Sequence, residues 1–210
     1  MTTNRKETVK KKRVRRDRTN EILETATRLF AEYGFQGATL AQVAEAVGLT
    51  EAGVLHYFPS KVHLLQGVLE YHEQKDMETY LEAIEENKKS TAELFALLET
   101  LVTENEKIPG LIQLFTVLVS ESIRSDHPSH DYFVERYRRG REMYITQFFK
   151  LLKNEIRPDV DLSELTILIM AVMDGLQIQW LLDPKKVDLV GTFKLFSKAI
   201  VGYLEKPPKV

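Results

Sequence analysis

Cysteine is absent from this sequence, which excludes disulfides, thiolate metal sites and cysteine nucleophiles. Strand signals are scarce along its whole length. Glycine-rich phosphate loops and the G-x-S-x-G turn of serine hydrolases are missing as well. No apolar run is expected to reach the roughly 18 residues a membrane span needs, so no membrane partner is expected. The first residues, Met1-Thr2-Thr3-Asn4-Arg5-Lys6, lead into more charge rather than a hydrophobic signal segment. A cytoplasmic protein is expected on that ground. Only seven prolines and ten glycines occur, placed mainly at the ends of periodic segments. No internal repeat is present.

What remains is a chain of 210 residues, 43% apolar and 29% charged, enough to bury a sizeable core. Its formal net charge of −2 hides an asymmetry. Residues 1–18 hold nine Lys or Arg against two acids, a local +7, and the remainder is net −9. A basic start on an acidic body marks a nucleic-acid or anionic-surface arm, or a solvated tail. Charge alone leaves both open.

Helical spacing predominates, and an all-α fold of about nine helices is predicted. Ile22, Ala26, Leu29, Phe30 and Tyr33 share one helix face, with Gly34 as the stop. Thr39 with Gln42 fits a capping box ahead of a second helix, and Gly48 ends that helix. Thr50 can cap a third, from Glu51 to about Tyr57. Ser60 can cap a fourth, Lys61–Glu86. Further helices are expected over Thr91–Glu104, Leu111–Arg124, Asp131–Ile156, Glu164–Leu182 (capped by Ser163) and the stripe Leu189–Leu204. The organisation read from this is a basic flexible arm over 1–17, a head over 18–62 and a larger bundle over 63–210.

The informative stretch is Thr39–Lys61, TLAQVAEAVGLTEAGVLHYFPSK. Two short helices joined by a tight glycine-containing turn form a helix-turn-helix. A short helix enters a major groove about 12 Å wide only when a second helix braces it. Val43, Val47, Leu49, Val54 and Phe58 can supply the small core beneath. Glu51, Ala52, Gly53, His56 and Tyr57 are left facing outward.

In this window the chain resembles the TetR family of bacterial repressors. That family shows T-x-x-x-[IV]-A-x-x-x-G-[VL]-[ST], a short recognition helix with an aromatic near its end, and then F-x-x-K-x-x-L. Thr39, Val43, Ala44, Gly48, Leu49, Thr50, Tyr57, Phe58, Lys61 and Leu64 stand in register with it. The resemblance is close over about residues 18–65, and beyond them it extends to helix number and length. It implies an N-terminal three-helix DNA-binding head and a C-terminal bundle for ligand binding and dimerisation. It further implies a homodimeric repressor on a palindromic double-stranded operator, released by a small-molecule effector.

Contacts to phosphate or base are implied for Thr39, Thr50, Glu51, Ala52, Gly53, His56, Tyr57 and Lys61. Hydroxyl and ammonium groups at Thr39, Tyr57 and Lys61 suit phosphate in any sequence. Ala52, Gly53 and Leu55 depart from the family's usual recognition-helix residues, so base readout by side chains is thin there. Glu51 reads a cytosine amino group or simply favours the positive helix terminus. Beside such a head, Arg13, Arg15, Arg16 and Arg18 suit phosphate neutralisation, with an arginine entering the adjacent minor groove.

In the bundle, Glu164–Leu182 is apolar nearly all round, interrupted by Asp174, Gln177 and Gln179. The resemblance implies that this helix and the last one form the dimer interface, with Ile178, Leu182, Phe193, Phe196 and Ile200 as its candidates. Asp174 and Gln177 share a face. With Phe115, Leu118, Tyr144, Phe148, Met170 and Met173 they are the candidates for an effector pocket. The same aromatics read equally as plain core. A carboxylate within an apolar run needs a partner: an Arg of the 136–141 cluster, a dimer contact or a ligand.

No cofactor and no metal are expected. His127-x-x-His130 beside Asp126 and Asp131 can be drawn as a metal site, but at a helix start such residues commonly act as caps. No enzyme is expected either. The alternatives carried beside the repressor are a ligand-independent DNA-binding protein, an activator, a small all-α enzyme and a protein-binding adaptor.

Overall fold

The computed structural model describes residues 3–85, 90–152 and 156–205, with side chains for 18–78, 90–150, 152 and 156–205. Among the described residues there are nine α-helices and no strand. They are α1 (Thr3–Gly37), α2 (Leu40–Ala46), α3 (Glu51–Tyr57), α4 (Lys61–Glu85), α5 (Thr91–Glu106), α6 (Pro109–Glu121), α7 (His130–Met143), α8 (Leu162–Leu182) and α9 (Leu189–Leu204). The chain divides into two compact units, Met1–Lys75 and Asp76–Val210.

The division falls inside α4 rather than near residue 62. The reason is local: Leu64, Leu65, Val68 and Leu69 on the first half of α4 are buried within the first unit. The backbone from Thr3 onward is helical and continuous with α1. Gly34, at φ 70° and ψ 171°, interrupts that helix at the position where a stop is expected.

The first unit is built on Ile22, Leu23, Ala26 and Phe30 from α1, Ala38, Val43, Ala44 and Val47 around α2, and Val54 from α3. Tyr33, expected on the buried face of α1, is instead 49% exposed, since it lies one residue before the break. A polar edge joins α1 to α4. Tyr71 donates to Glu24, whose carboxylate also pairs with Lys75 at 3.7 Å, and Thr27 Oγ1 lies 3.3 Å from His72 Nε2.

In the second unit α5 packs along α9, and α8 packs on α6, α7 and α9. Leu94, Phe95, Leu98 and Val102 of α5 meet Leu189, Phe193 and Leu204 of α9 in one buried cluster, together with Leu165, Ile169 and Trp180 of α8. The helix predicted over Asp131–Ile156 ends early. After Met143 the chain winds into a π-type turn, Tyr144–Phe148, and then a 3-10 turn, Phe149–Leu152. That irregular stretch directs Tyr144, Phe148, Phe149 and Leu152 into the core. Phe148 meets Phe95 edge-on at 5.7 Å and Phe149 at 4.9 Å.

Asp161, rather than Ser163, caps α8, its Oδ1 accepting from the Ser163 and Glu164 amides at 2.8 and 3.1 Å. The expectation that no apolar run is long enough for a membrane also needs correction. By length and composition α8 is apolar enough to cross one, and much of it is not buried by its own chain.

Candidate functional site

Two capped helices and the turn between them form the centre of the candidate nucleic-acid interface. Thr39 Oγ1 accepts from the Gln42 amide at 3.1 Å, while Gln42 Oε1 accepts from the Thr39 amide at 2.7 Å. Both ends of the box therefore satisfy amides that α2 leaves without helical partners. At the other end of α2, the Leu49 amide donates to Ala44 O at 2.8 Å and the Gly48 amide to Glu45 O at 3.1 Å. This is a Schellman stop, which requires a left-handed residue at its glycine position, and Gly48 takes φ 64°. Two residues later Thr50 Oγ1 accepts from the Gly53 amide at 3.0 Å and starts α3. Local devices at Thr39, Gly48 and Thr50, all within twelve residues of chain, thus set the crossing of the two helices.

Below this pair Val43, Ala44, Val47 and Val54 are buried. Leu49 and Phe58 are half-buried at the margin. Above it Thr39, Thr50, Glu51, Ala52 and His56 are exposed, with Gly53 and Tyr57 half-buried. The expected recognition face is therefore the solvent face of α3. The His56 and Tyr57 rings meet edge-on at 5.8 Å. Lys61 is more constrained than expected. Its Nζ donates to Gln36 O at 3.3 Å and lies 4.7 Å from the centre of the Phe35 ring. Partial burial lowers its pKa.

Arg18 reaches Glu21 at 2.6 Å, so one of its nitrogens is engaged within α1. The side chains of Arg13, Arg15 and Arg16 lie outside the described residues.

The bundle holds a second candidate site. Asp174 of α8 accepts from the Tyr137 hydroxyl of α7 at 2.7 Å. The partner of this carboxylate is thus a phenol rather than an arginine of the 136–141 cluster. Arg136 nevertheless acts on it through space: burial raises the Asp174 pKa, and the Tyr137 hydrogen bond and the Arg136 charge oppose that rise. Burial, and then the Asp174 charge, push the Tyr137 phenol well above its ordinary range. The Arg136 guanidinium stands 4.6 Å from the centre of the Phe115 ring and 5.7 Å from that of Tyr137. Tyr144, also raised by burial, directs its hydroxyl at Met173 Sδ, 3.9 Å away.

Of the expected pocket residues, Phe115, Tyr144, Met173 and Asp174 therefore gather around the contact of α7 with α8. Met170 is half-buried, and Gln177 is buried. Leu118 and Phe148 are fully buried core side chains. Sequence reasoning does not single out Tyr137 or Arg136 as pocket residues. The signal available is Asp174 itself, a carboxylate in an apolar helix that demands a donor.

The expected interface residues also separate. Ile178 is 44% and Leu182 80% exposed, whereas Phe196 and Ile200 are half-buried. Phe193 has no exposed surface and belongs to the core, so it offers nothing to a second chain. The histidine pair is occupied with the turn between α6 and α7. His127 Nδ1 lies 3.0 Å from Ser122 Oγ and accepts from the Ser129 amide at 3.2 Å, and His130 Nδ1 lies 2.9 Å from Ser122 O.

Comparison with known proteins accords with this geometry. Residues 22–68 match the profile of bacterial regulatory proteins of the tetR family, and residues 90–200 match that of the BetI-type transcriptional repressor C-terminal region. A nucleoid occlusion factor SlmA from Idiomarina loihiensis is 26% identical over 77% of this chain and 82% of its own length. The chain spans about half the length of other curated relatives of that name. Among solved structures, a TetR transcription regulator from Haloarcula marismortui superposes with a TM-score of 0.70 at 22% identity, covering 90% of this chain and 99% of the other. A transcriptional regulator from Saccharomonospora viridis in complex with choline gives a TM-score of 0.64 at 22% identity, covering 88% and 95%.

Proposed function

From the premise that this chain belongs to the TetR family of transcriptional regulators and is a DNA-binding regulator rather than an enzyme, we propose a homodimeric, cytoplasmic repressor that a small molecule releases from a palindromic operator. The observation that carries the reading is the α2–α3 pair, whose caps and Schellman stop hold an exposed α3 face over a small buried core. In such a pair α3 enters the major groove and Thr39, Tyr57 and Lys61 meet phosphate. Two heads on a two-fold axis read two half-sites about one helical turn apart.

Support for the dimer comes from α8 and α9. Ile167, Leu168, Ile178 and Leu182 on α8, and Leu195 and Tyr203 on α9, are large apolar side chains left exposed by their own chain. A second copy of the same two helices would bury them in a self-complementary contact. Support for an effector comes from the polar cluster at Asp174 and from the choline held by the Saccharomonospora viridis regulator. An effector acts through its differential affinity for two conformations, and coupling of about 1–3 kcal/mol weakens DNA binding roughly 5- to 150-fold. The helix α4, which runs through the division between the units, is the element on which that change would act.

A second reading is a ligand-independent DNA-binding protein, and the similarity to proteins named nucleoid occlusion factor is the observation that favours it over a repressor released by an effector. Selection of bound duplexes from a random pool, with light scattering on the same preparation, tests the first. Enrichment of one inverted repeat by a dimer is the expected result. A monomer, or no enrichment, overturns it. Leu182→Glu should give monomers that no longer bind the repeat.

A further inference from the structure

Met173 of α8 faces Tyr144, the first residue of the π-type turn after α7, with the phenol oxygen 3.9 Å from the sulfur. Tyr144 is only 6% exposed, and burial raises its pKa, so the hydroxyl keeps its proton and acts as a donor. A thioether is a weak acceptor, and a buried hydroxyl aimed at one regains little of the hydrogen bonding it left in water. The spacing suits a stronger acceptor on the same sulfur. A sulfoxide oxygen stands about 1.5 Å from its sulfur, and an O–H···O bond of about 2.7 Å at a bent angle then puts the phenol oxygen roughly 3.7 Å from that sulfur. The pair already stands at nearly that separation.

We propose that Met173 is a sulfoxidation site, and that the Tyr144 phenol holds the sulfoxide. The oxidant is a peroxide. The sulfur lone pair attacks one peroxide oxygen and the O–O bond breaks. Sulfur keeps that oxygen, and the other leaves as water, carrying the proton of the transferred atom. Sulfur is oxidised by two electrons and the peroxide is reduced by two. Met173 is only partly buried, which leaves a small oxidant a way in. With no cysteine in the chain, the thiol steps of the oxidation ladder are closed, and methionine is the side chain left for reversible oxidation. Sulfoxidation ordinarily disrupts a core, because it sets a polar atom among apolar ones. Here the new oxygen meets a donor already in place. The product adds an O–H···O bond between α8 and the π-type turn, beside the one that Tyr137 makes to the adjacent Asp174. Neither the reaction nor its product needs an effector in the bundle.

The test uses the full-length chain carrying Met77→Leu, Met143→Leu and Met170→Leu, with hydrogen peroxide as oxidant. Met170 has to be removed because it packs against Gly140, where a Cβ would stand 2.9 Å from its methyl, so its own oxidation would crowd the same contact. Mass spectrometry places the added oxygen, and thermal unfolding is followed before and after treatment. Peroxide should add one oxygen to Met173, and methionine sulfoxide reductase should remove it from the unfolded chain. Oxidation should lower the thermal midpoint more in the Tyr144→Phe variant than in the protein that keeps Tyr144. The difference should be roughly 3–6 °C, the scale of one buried polar atom deprived of its donor. Equal shifts with and without Tyr144, or a larger fall with it, overturn the proposal. So does a Met173 that stays unoxidised under peroxide that consumes free methionine in the same tube. If the leucine-substituted chain fails to fold, the wild type and its Tyr144→Phe variant, mapped peptide by peptide, give the same comparison, since every other methionine is common to both.

Discussion

Tyr137 and Asp174 come from different helices and meet in a 2.7 Å hydrogen bond, with the phenol donating to the carboxylate. Asp174 interrupts an otherwise apolar helix, so this bond offsets part of the cost of removing the carboxylate from water. Tyr137→Phe should destabilise the chain by about 1–3 kcal/mol, the penalty for a desolvated acceptor that loses its donor. The pH dependence follows from the raised Asp174 pKa. The folded form holds its proton more tightly than the unfolded chain, so stability falls as pH rises from the ordinary carboxyl value through the raised one. Asp174→Asn should remove that segment from a urea-unfolding series between about pH 3 and 7. An unchanged profile would show that Asp174 titrates as an ordinary surface carboxyl.

Gly67 lies beneath the Phe58 ring, and a Cβ there would stand 2.7 Å from Phe58 Cε1 and 3.1 Å from Leu23 Cδ2. Both neighbours lie within the first unit, and Phe58 anchors the end of the recognition helix. Gly67→Ala should therefore cost about 1–3 kcal/mol by overpacking. A matching fall in thermal midpoint is expected. A melt identical to wild type would mean that Phe58 can move aside freely.

His72 gives the first unit an acid-sensitive contact. The Thr27 hydroxyl donates to Leu23 O at 2.8 Å, so its oxygen accepts from His72 Nε2–H, 3.3 Å away. Burial and then the Lys75 charge lower the His72 pKa. The folded state therefore binds this proton less readily than the unfolded chain. Stability should fall as pH drops below about 6.5 and level off once the lowered value is passed. His72→Gln should flatten the stability profile between about pH 7.5 and 5 relative to wild type. Equal slopes in the two proteins would rule out this linkage.

Deleting residues 1–16 removes eight Lys or Arg. For every phosphate that the arm no longer neutralises, the plot of log affinity against log salt flattens by about 0.9. A drop of several units per dimer is expected, with weaker binding to every duplex tested. A slope equal to that of the full chain would mean that the arm does not touch DNA.

The DNA-binding head is legible in the sequence because its devices are local. The capping box of Thr39 and Gln42, the Gly48 stop and the Thr50 cap each join residues within five positions of one another. Such contacts are written into residue order, so spacing alone can find them. Spacing fails where two residues could do the same local job: Asp161 and Ser163 both suit a cap, and only the observed start of α8 selects Asp161.

The bundle is legible as helices and not as faces. On α9, Phe193 and Phe196 both belong to one apolar stripe. Which of them is buried depends on where the other helices lie, and Phe193 is fully buried in the cluster that α9 shares with α5 and α8. The Asp174 partner lies 37 positions away in the chain, on a helix whose crossing with α8 no periodicity specifies. The amino-acid order by itself determined the helices, their stops and the head, because backbone hydrogen bonds and caps act over a few residues. Only the tertiary structure decided which apolar side chains form core and which remain for a partner, and which groups meet at Asp174. Burial and charge compensation depend on what other helices bring to the same point in space.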